Sequence, residues 1–322
     1  MRRSSPRSPV LRLDLSTGAA VRRPDSLAAE EPLEVRVRAL PGPGAPGGRA
    51  VAQEAAPVVV TMRTPGEDVD LALGFLLTEG LLTSADDVAA VVHCGDPAGG
   101  DPDDPAAQLS SMNVLQVTLR PGVPAPDLEG RRTFGMTSAC GVCGSASIDA
   151  VSRRSRYDLS QDGVVVDADV LVALPDRLRA AQRIFERTGG LHAAGLFTAD
   201  GELLAVAEDV GRHNAVDKVL GRAAREGLTG GWPLRGAVLQ VSGRASFELA
   251  QKAWCAGVPV LSAVSAPSSL AVELARTAGM TLAGFVRAPR LNVYAGEHRV
   301  RLREPADAAG EVTGVTSGPG PR

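Results

Sequence analysis

Residues 237–275, AVLQVSGRASFELAQKAWCAGVPVLSAVSAPSSLAVELA, give the clearest indication of the fold class. Two short apolar runs at 237–241 and 260–264 each lead through a serine-containing turn into helix-forming segments at 246–256 and 268–278. Repeated strand–helix–strand units imply adjacent parallel strands that helices cover. We therefore predict an α/β core with a mixed or parallel sheet and covering helices.

The segments on either side extend this alternation. Residues 191–197 and 203–208 are apolar runs separated by Asp200-Gly201, a dipeptide typical of a hairpin turn. The same criteria predict helices at 167–188 and 214–225 and strands at 282–286 and 291–294.

A smaller α+β region precedes the core. Alternating residues at 33–37 and apolar residues at 58–62 and 114–119 predict strands, and the run at 71–82 predicts a helix. The first 30 residues are rich in Arg, Ser and Pro and are expected to be disordered. The predicted division is a disordered extension at 1–30, an N-terminal α+β region at 31–128, a core with the cysteine pair at 129–303, and a flexible tail at 304–322.

Composition argues against several classes of protein. The 322 residues carry a net charge of −3 and only 3% aromatic residues, whereas nucleic-acid binders are usually basic and often use aromatic stacking. The sequence shows neither a secretory signal peptide nor an apolar run of about 20 residues that could span a membrane. A cytoplasmic protein without nucleic-acid or membrane partners is expected. Lys218 and Lys252 are the only lysines, a bias that genomic composition or phosphate recognition by arginine could explain.

The cysteine pair Cys140 and Cys143 is the first candidate for chemistry. Glycines at 141 and 144 suit a loop that brings two sulfurs near one point. Such a pair can be half of a zinc site, a redox pair, a sulfur carrier with one nucleophilic thiolate, or two buried small residues. Zinc would need further ligands, and the adjacent His93 and Cys94 rarely close a tetrahedral site.

A polar cluster at 208–214 lies between a predicted strand and a helix. Its residues Asp209 and His213 could bind a ligand or move a proton, because strand ends of α/β sheets are common ligand sites. The plain alternative, a helix cap, explains only one or two residues of the cluster.

Two turns at consecutive strand ends share hydroxyl and backbone donors. Ser242, Gly243 and Arg244 follow one predicted strand, and Ser265 follows the next. Free N–H groups at helix starts attract phosphate, so the two turns together predict a wide anion site, although each alone could be an ordinary serine cap. Arg287 and Arg290, in the turn between the last two strands, could also hold phosphates or remain solvated.

Taken together, these segments resemble the FdhD family of formate dehydrogenase accessory sulfurtransferases. The likeness covers residues from about 31 to 300. The matching motifs are EDVDLALGFLLTEG at 67–80, CGVCG at 140–144, GGLHAAGLF at 189–197, AEDVGRHNAVDKVLG at 207–221, most of the 242–275 stretch, and GFVR and NVY within 284–294.

The resemblance implies a mechanism. A cysteine desulfurase would load a persulfide onto Cys140, with Cys143 assisting. The sulfur would pass to the molybdenum of a bound bis(molybdopterin guanine dinucleotide) cofactor, which is a substrate rather than a resident group, and formate dehydrogenase would receive the product. It further implies a cytidine-deaminase-like core, a homodimer, no tightly held metal, and cofactor contacts from Phe285, Val286, Arg287, Ala288, Pro289 and Arg290.

Two alternatives remain open from the sequence. The chain could be a chaperone that binds the cofactor or the dehydrogenase without transferring sulfur. It could also be a zinc-dependent deaminase-like hydrolase, but that class needs an H-x-E motif and a PCxxC motif, and the sequence contains neither.

Overall fold

The structure is a computed structural model that describes residues 4–42, 54–94, 112–127 and 155–302. Cys140, Cys143, the boundary at 128/129 and the tail at 304–322 lie outside the described residues. Among the residues described, no helix is long and apolar enough to cross a bilayer.

The N-terminus forms a hairpin, so the prediction of disorder over 1–30 is wrong for the described part. Strands β1 (Arg7–Asp14) and β2 (Ala19–Ser26) pair antiparallel. The turn explains the pairing, because the Asp14 carboxylate accepts hydrogen bonds from the N–H groups of Ser16 and Thr17. Gly18 then supplies a positive φ of 70°. The prediction of disorder rested on composition alone and did not consider the residues of this turn.

The N-terminal α+β region is a four-stranded sheet with one helix. Its elements are β3 (Glu31–Arg38), β4 (Ala56–Arg63), α1 (Asp68–Thr78), β5 (Val88–His93) and β6 (Val114–Leu119). The strand order is β4-β3-β6-β5, with β3 and β6 parallel. Alternate residues of β3 (Leu33, Val35 and Val37) are buried, which confirms the predicted alternation.

The core holds the remaining elements. They are β7 (Val166–Asp167), α2 (Ala168–Ala181), α3 (Arg183–Thr188), β8 (His192–Phe197), β9 (Leu203–Asp209), α4 (Arg212–Glu226), β10 (Val238–Val241), α5 (Phe247–Cys255), β11 (Val260–Ala263), α6 (Ser269–Ala278), β12 (Thr281–Arg287), β13 (Arg290–Ala295) and β14 (Val300–Arg301). β14 pairs with β7 apart from the main sheet.

The main sheet is mixed, as predicted. Its order is β13-β12-β11-β10-β8-β9. β10, β11 and β12 are parallel, whereas β8, β9 and β13 pair antiparallel with their neighbours. Apolar residues of α4, α5 and α6 pack on one face, and those of α2 pack on the other. The carboxyl ends of β9, β10, β11 and β12 therefore share one edge.

The helix predicted over 167–188 is broken in two. Gln182 leaves helical geometry, with φ −80° and ψ 79°, between α2 and α3. The carboxylate of Glu208 then accepts the N–H groups of Ile184 and Phe185 at 2.8 and 2.6 Å. A residue near the end of β9 thus accepts the free N–H groups in the first turn of α3. Local periodicity in the sequence could not reveal this contact.

Helices α1 and α4 make a close backbone contact between the N-terminal region and the core. A Cβ added to Gly221 would lie 2.0 Å from the Asp70 carbonyl oxygen, and one added to Gly74 would lie 1.9 Å from the Asp217 carbonyl oxygen. Only glycine permits this approach, because both obstacles are backbone atoms.

We expect Gly221→Ala to destabilise the protein by about 1–3 kcal/mol, the usual cost of overpacking. Helix propensity alone predicts the opposite sign, a gain of about 0.5–1 kcal/mol. Urea unfolding measures the difference. Gly163→Ala is the control, because its Cβ would meet nothing within 4 Å. A Gly221→Ala protein as stable as this control would contradict the close contact.

Candidate functional site

A cavity of about 820 Å³ opens at the shared carboxyl edge of the main sheet. One wall comes from α2 and α3, and the opposite side from the start of β8 and the segments after β10 and β12. The volume lies in the range of small-molecule sites, and the edge is where α/β sheets usually bind ligands.

The two serine turns lie side by side, as the sequence predicted. Ser265 donates its N–H to the Gly243 carbonyl at 3.3 Å, and Ser268 donates to the Ala245 carbonyl at 3.0 Å. Ser242 lines the cavity, and its hydroxyl oxygen accepts the N–H of Ala193 at 2.9 Å. The two turns are therefore one hydrogen-bonded surface.

The β12–β13 turn forms the rim of the same cavity. Phe285 has a positive φ of 50°, and its N–H bonds to the Ser265 carbonyl at 3.2 Å. This kink exposes the Phe285 side chain and buries Val286. Val286, Arg287 and Ala288 line the cavity, so the predicted serine and arginine segments meet there.

Asp209 lies beneath the site rather than in it. Its carboxylate is fully buried and 2.7 Å from the Lys218 amine. It also accepts the N–H groups of Thr64 at 3.0 Å and Gly211 at 2.8 Å. These bonds hold the end of β9 against the segment after β4, and Asp209 is not among the residues that line the cavity, although the sequence made it a candidate for ligand binding.

His213, at the start of α4, forms an ion pair with Glu248 at the start of α5. Its Nε2 atom lies 2.6 Å from Glu248 Oε2, so the first turn of α4 meets the first turn of α5. The adjacent His213 imidazole holds the pKa of Glu248 below its usual value.

His192 lines the cavity and was missed by sequence reasoning. It begins β8 directly opposite Asp209. Burial, followed by the nearby charges of Arg212 and His213, lowers the pKa of His192 from its usual 6.5. The imidazole is therefore neutral near pH 7 and can donate or accept a hydrogen bond. In the sequence, the only indication of a role for His192 was its position within the GGLHAAGLF motif at 189–197.

Comparison with known proteins bears on this arrangement. The model of the FdhD/NarQ family matches residues 49–301. The chain belongs to the FdhD/NarQ family.

Close relatives cover nearly its whole length. It is 50% identical over 307 residues to a protein of Streptomyces avermitilis called sulfur carrier protein FdhD, covering 95% of this chain and 99% of the relative. A Mycobacterium tuberculosis protein of the same name is 52% identical over 286 residues, covering 89% and 95% of the two chains.

A solved structure shares the fold. The crystal structure of a putative formate dehydrogenase accessory protein from Desulfotalea psychrophila matches with a TM-score of 0.60 and 19% identity, covering 93% of this chain and all of that one. At this identity the match supports the fold alone.

Besides Asp209 and His213, ten predicted contact residues of this FdhD/NarQ member are described, and they fall into three groups. Ser242, Val286, Arg287 and Ala288 line the cavity. Gly243, Ser265 and Phe285 belong to its hydrogen-bonded surroundings, and a Cβ on Gly243 would lie 3.6 Å from His192 Nδ1. The side chains of Arg244, Pro289 and Arg290 are exposed on the adjoining turns.

We expect Lys218→Met to destabilise the protein by about 3–5 kcal/mol, because it leaves the Asp209 charge buried and unpaired. Adding Asp209→Asn should recover part of the loss by removing that charge. Urea unfolding measures both. The control is Arg222→Met, which breaks an exposed pair with Glu226 and should cost about 1 kcal/mol or less. Equal losses in the two single variants would contradict the buried pair.

We expect the imidazole of His192 to titrate below pH 6.5 in NMR spectra. Arg212→Gln should raise this pKa, because it removes a nearby positive charge that disfavours the protonated ring. Arg120→Gln, in the N-terminal region, is the control and should leave it unchanged. A midpoint at or above 6.5 in the wild type, or no response to Arg212→Gln, would contradict the described surroundings.

Proposed function

We propose that this chain is a sulfur carrier needed for formate dehydrogenase activity. The observation that carries the proposal is the 50% identity, over 95% of the chain, to a protein called sulfur carrier protein FdhD. The sequence contains the chemistry that the role requires, a pair of cysteines at 140 and 143 with glycines beside them.

Loading requires one nucleophilic thiolate. We propose that the Cys140 thiolate attacks the terminal sulfur of a persulfide on a cysteine desulfurase. A new S–S bond forms on Cys140, the S–S bond of the donor breaks, and the donor cysteine leaves as a thiolate. The product is a Cys140 persulfide, and the exchange is redox-neutral.

Release requires two electrons, because the transferred sulfur must leave as sulfide. The thiolate of Cys143 can supply them by attacking the Cys140 sulfur, which forms a Cys140–Cys143 disulfide and frees the outer sulfur as sulfide. That sulfide would replace an oxygen ligand of the molybdenum, which would leave as water, and an external thiol would reduce the disulfide afterwards. This assigns the assisting role to Cys143.

The cavity suits the cargo of this reaction. A bis(molybdopterin guanine dinucleotide) cofactor carries two pyrophosphates, and the cavity wall offers Ser242, the Arg287 guanidinium and the His192 imidazole. Arginine forms charge-assisted bonds to phosphate oxygens. The exposed Arg244 and Arg290 on the adjoining turns extend the positive charge beyond the wall.

Further features complete the proposal. The partners would be a cysteine desulfurase and formate dehydrogenase, and the chain would act as a homodimer in the cytoplasm, where thiols stay reduced. The sheet order β9-β8-β10-β11-β12, with a hairpin followed by parallel strands that helices connect, supports a cytidine-deaminase-like core.

Intact-mass spectrometry after incubation with a cysteine desulfurase and cysteine tests the sulfur chemistry. We expect wild type to gain about 32 Da, one sulfur, and Cys140→Ser to gain nothing, because it lacks the accepting thiolate. Cys143→Ser should still gain the sulfur but should not release it. Cys94→Ser is the control, since its thiol lies in the N-terminal region at the end of β5.

No mass gain in wild type, with a desulfurase shown to be active on another acceptor, would overturn the proposal. The alternative of a chaperone that binds cofactor without carrying sulfur would then gain support. Sulfur that remains in Cys140→Ser and disappears in Cys143→Ser would exchange the roles of the two cysteines.

A further inference from the structure

Gln182 is a buried polar residue whose side-chain amide has no hydrogen-bond partner among the described residues. It is 5% exposed and lies at the break between α2 and α3, where it lines the cavity. Its backbone N–H bonds to the Arg179 carbonyl, and its carbonyl accepts the Glu186 N–H, but within the described ranges its amide bonds to nothing. A buried amide without a partner is costly, so this group points to a ligand in the cavity.

The broken helix holds the backbone of this amide in place. Gln182 leaves helical geometry, and the Glu208 carboxylate then accepts the N–H groups of Ile184 and Phe185. Glu208 is itself buried, so the first turn of α3 is fixed by a residue of the core. Little further ordering of this turn is needed when a ligand binds, which favours affinity.

An arginine and an aromatic ring lie on the same wall as the amide. The Arg179 guanidinium carbon lies 4.3 Å from the centre of the Phe185 ring, and both residues line the cavity. Nucleic-acid bases stack on aromatic rings and on guanidinium planes. The pair therefore offers a flat heterocycle a stacking surface on the wall that carries Gln182.

Asp176 adds acceptor oxygens to this wall. It lies about one helical turn before Arg179 on α2 and also lines the cavity. A carboxylate only accepts hydrogen bonds, whereas the Gln182 amide both donates and accepts. Together they complement a ring edge on which a carbonyl oxygen lies next to a ring N–H and an amino group. Guanine and pterin share this edge.

We propose that the α2–α3 wall binds the amino-oxo edge that guanine and pterin share, with Gln182 and Asp176 at the edge and Arg179 and Phe185 against the ring. The assignment rests on the proposed function, because the cofactor carries both heterocycles. Arg287 lies on the opposite side of the cavity, so phosphates can bind there, away from the Asp176 charge. The α2–α3 wall thus selects the ring and the opposite side holds the phosphates.

Calorimetric titration of the full chain with guanosine, inosine and adenosine diphosphates, and with pterin-6-carboxylate, tests this assignment. We expect inosine diphosphate, which lacks the amino group, to bind about tenfold more weakly than guanosine diphosphate. Adenosine diphosphate should bind more weakly still, because adenine presents an acceptor nitrogen where guanine presents an N–H.

Gln182→Leu should weaken binding of guanosine diphosphate about tenfold and that of adenosine diphosphate much less, so the preference should disappear. Asp176→Ala changes an exposed residue and should reduce the preference in the same way. The controls are Gln251→Leu, at a buried glutamine of α5, and Asp169→Ala, at an exposed aspartate of α2, because neither residue lines the cavity.

A preference for guanosine diphosphate that Gln182→Leu removes would identify guanine as the bound ring. Equal binding of the diphosphates, together with binding of pterin-6-carboxylate that Gln182→Leu weakens, would identify the pterin. The proposal is overturned if neither ring is selected, or if the selection survives both Gln182→Leu and Asp176→Ala. The mass gain of wild type with a desulfurase reports the sulfur chemistry separately, so either proposal can fail alone.

Discussion

The structure depends on the buried ion pair between Asp209 and Lys218. The Lys218 amine lies 2.7 Å from the Asp209 carboxylate and donates to the carbonyl of Thr64 at 2.9 Å. Asp209 in turn accepts the N–H of Thr64 and of Gly211. Because both groups are fully buried, neither can lose its partner cheaply. The pair therefore fixes the end of β9, the start of α4 and the N-terminal region in one arrangement, and the cavity opens beside them.

The other lysine, Lys252, also forms a buried ion pair between the N-terminal region and the core. Lys252 of α5 lies 2.9 Å from Asp217 of α4 and 3.1 Å from the Thr78 hydroxyl of α1. Burial opposes its charge, but the carboxylates of Asp217 and Glu79 outweigh burial and raise the pKa of Lys252. Both lysines of an arginine-rich chain thus lie where α1 or its preceding segment meets the core. A compact ammonium with three donors suits such a site better than a planar guanidinium.

The sequence predicted those parts of the structure that local residue patterns determine. The strands and helices from 191 to 295 follow apolar periodicity, and parallel strands place consecutive turns together, so the Ser242 and Ser265 turns could be joined in advance. It failed where distant residues decide, and at one turn whose local chemistry the composition did not show. Glu208 breaks the helix at Gln182, Lys218 draws Asp209 inward, and the turn of Asp14 and Gly18 orders a segment whose composition suggested disorder. His192 became a candidate only when folding placed it on the cavity wall.

We propose that this cavity holds a guanine dinucleotide cofactor, and calorimetric titration with guanosine diphosphate measures that binding. We expect saturable binding to wild type and roughly tenfold weaker binding to Arg287→Gln, because one charge-assisted bond to phosphate is worth about 1.5–3 kcal/mol. Arg120→Gln, at a residue that does not line the cavity, should bind as wild type does. No binding to wild type, or equal binding to Arg287→Gln, would contradict the assignment of the cavity.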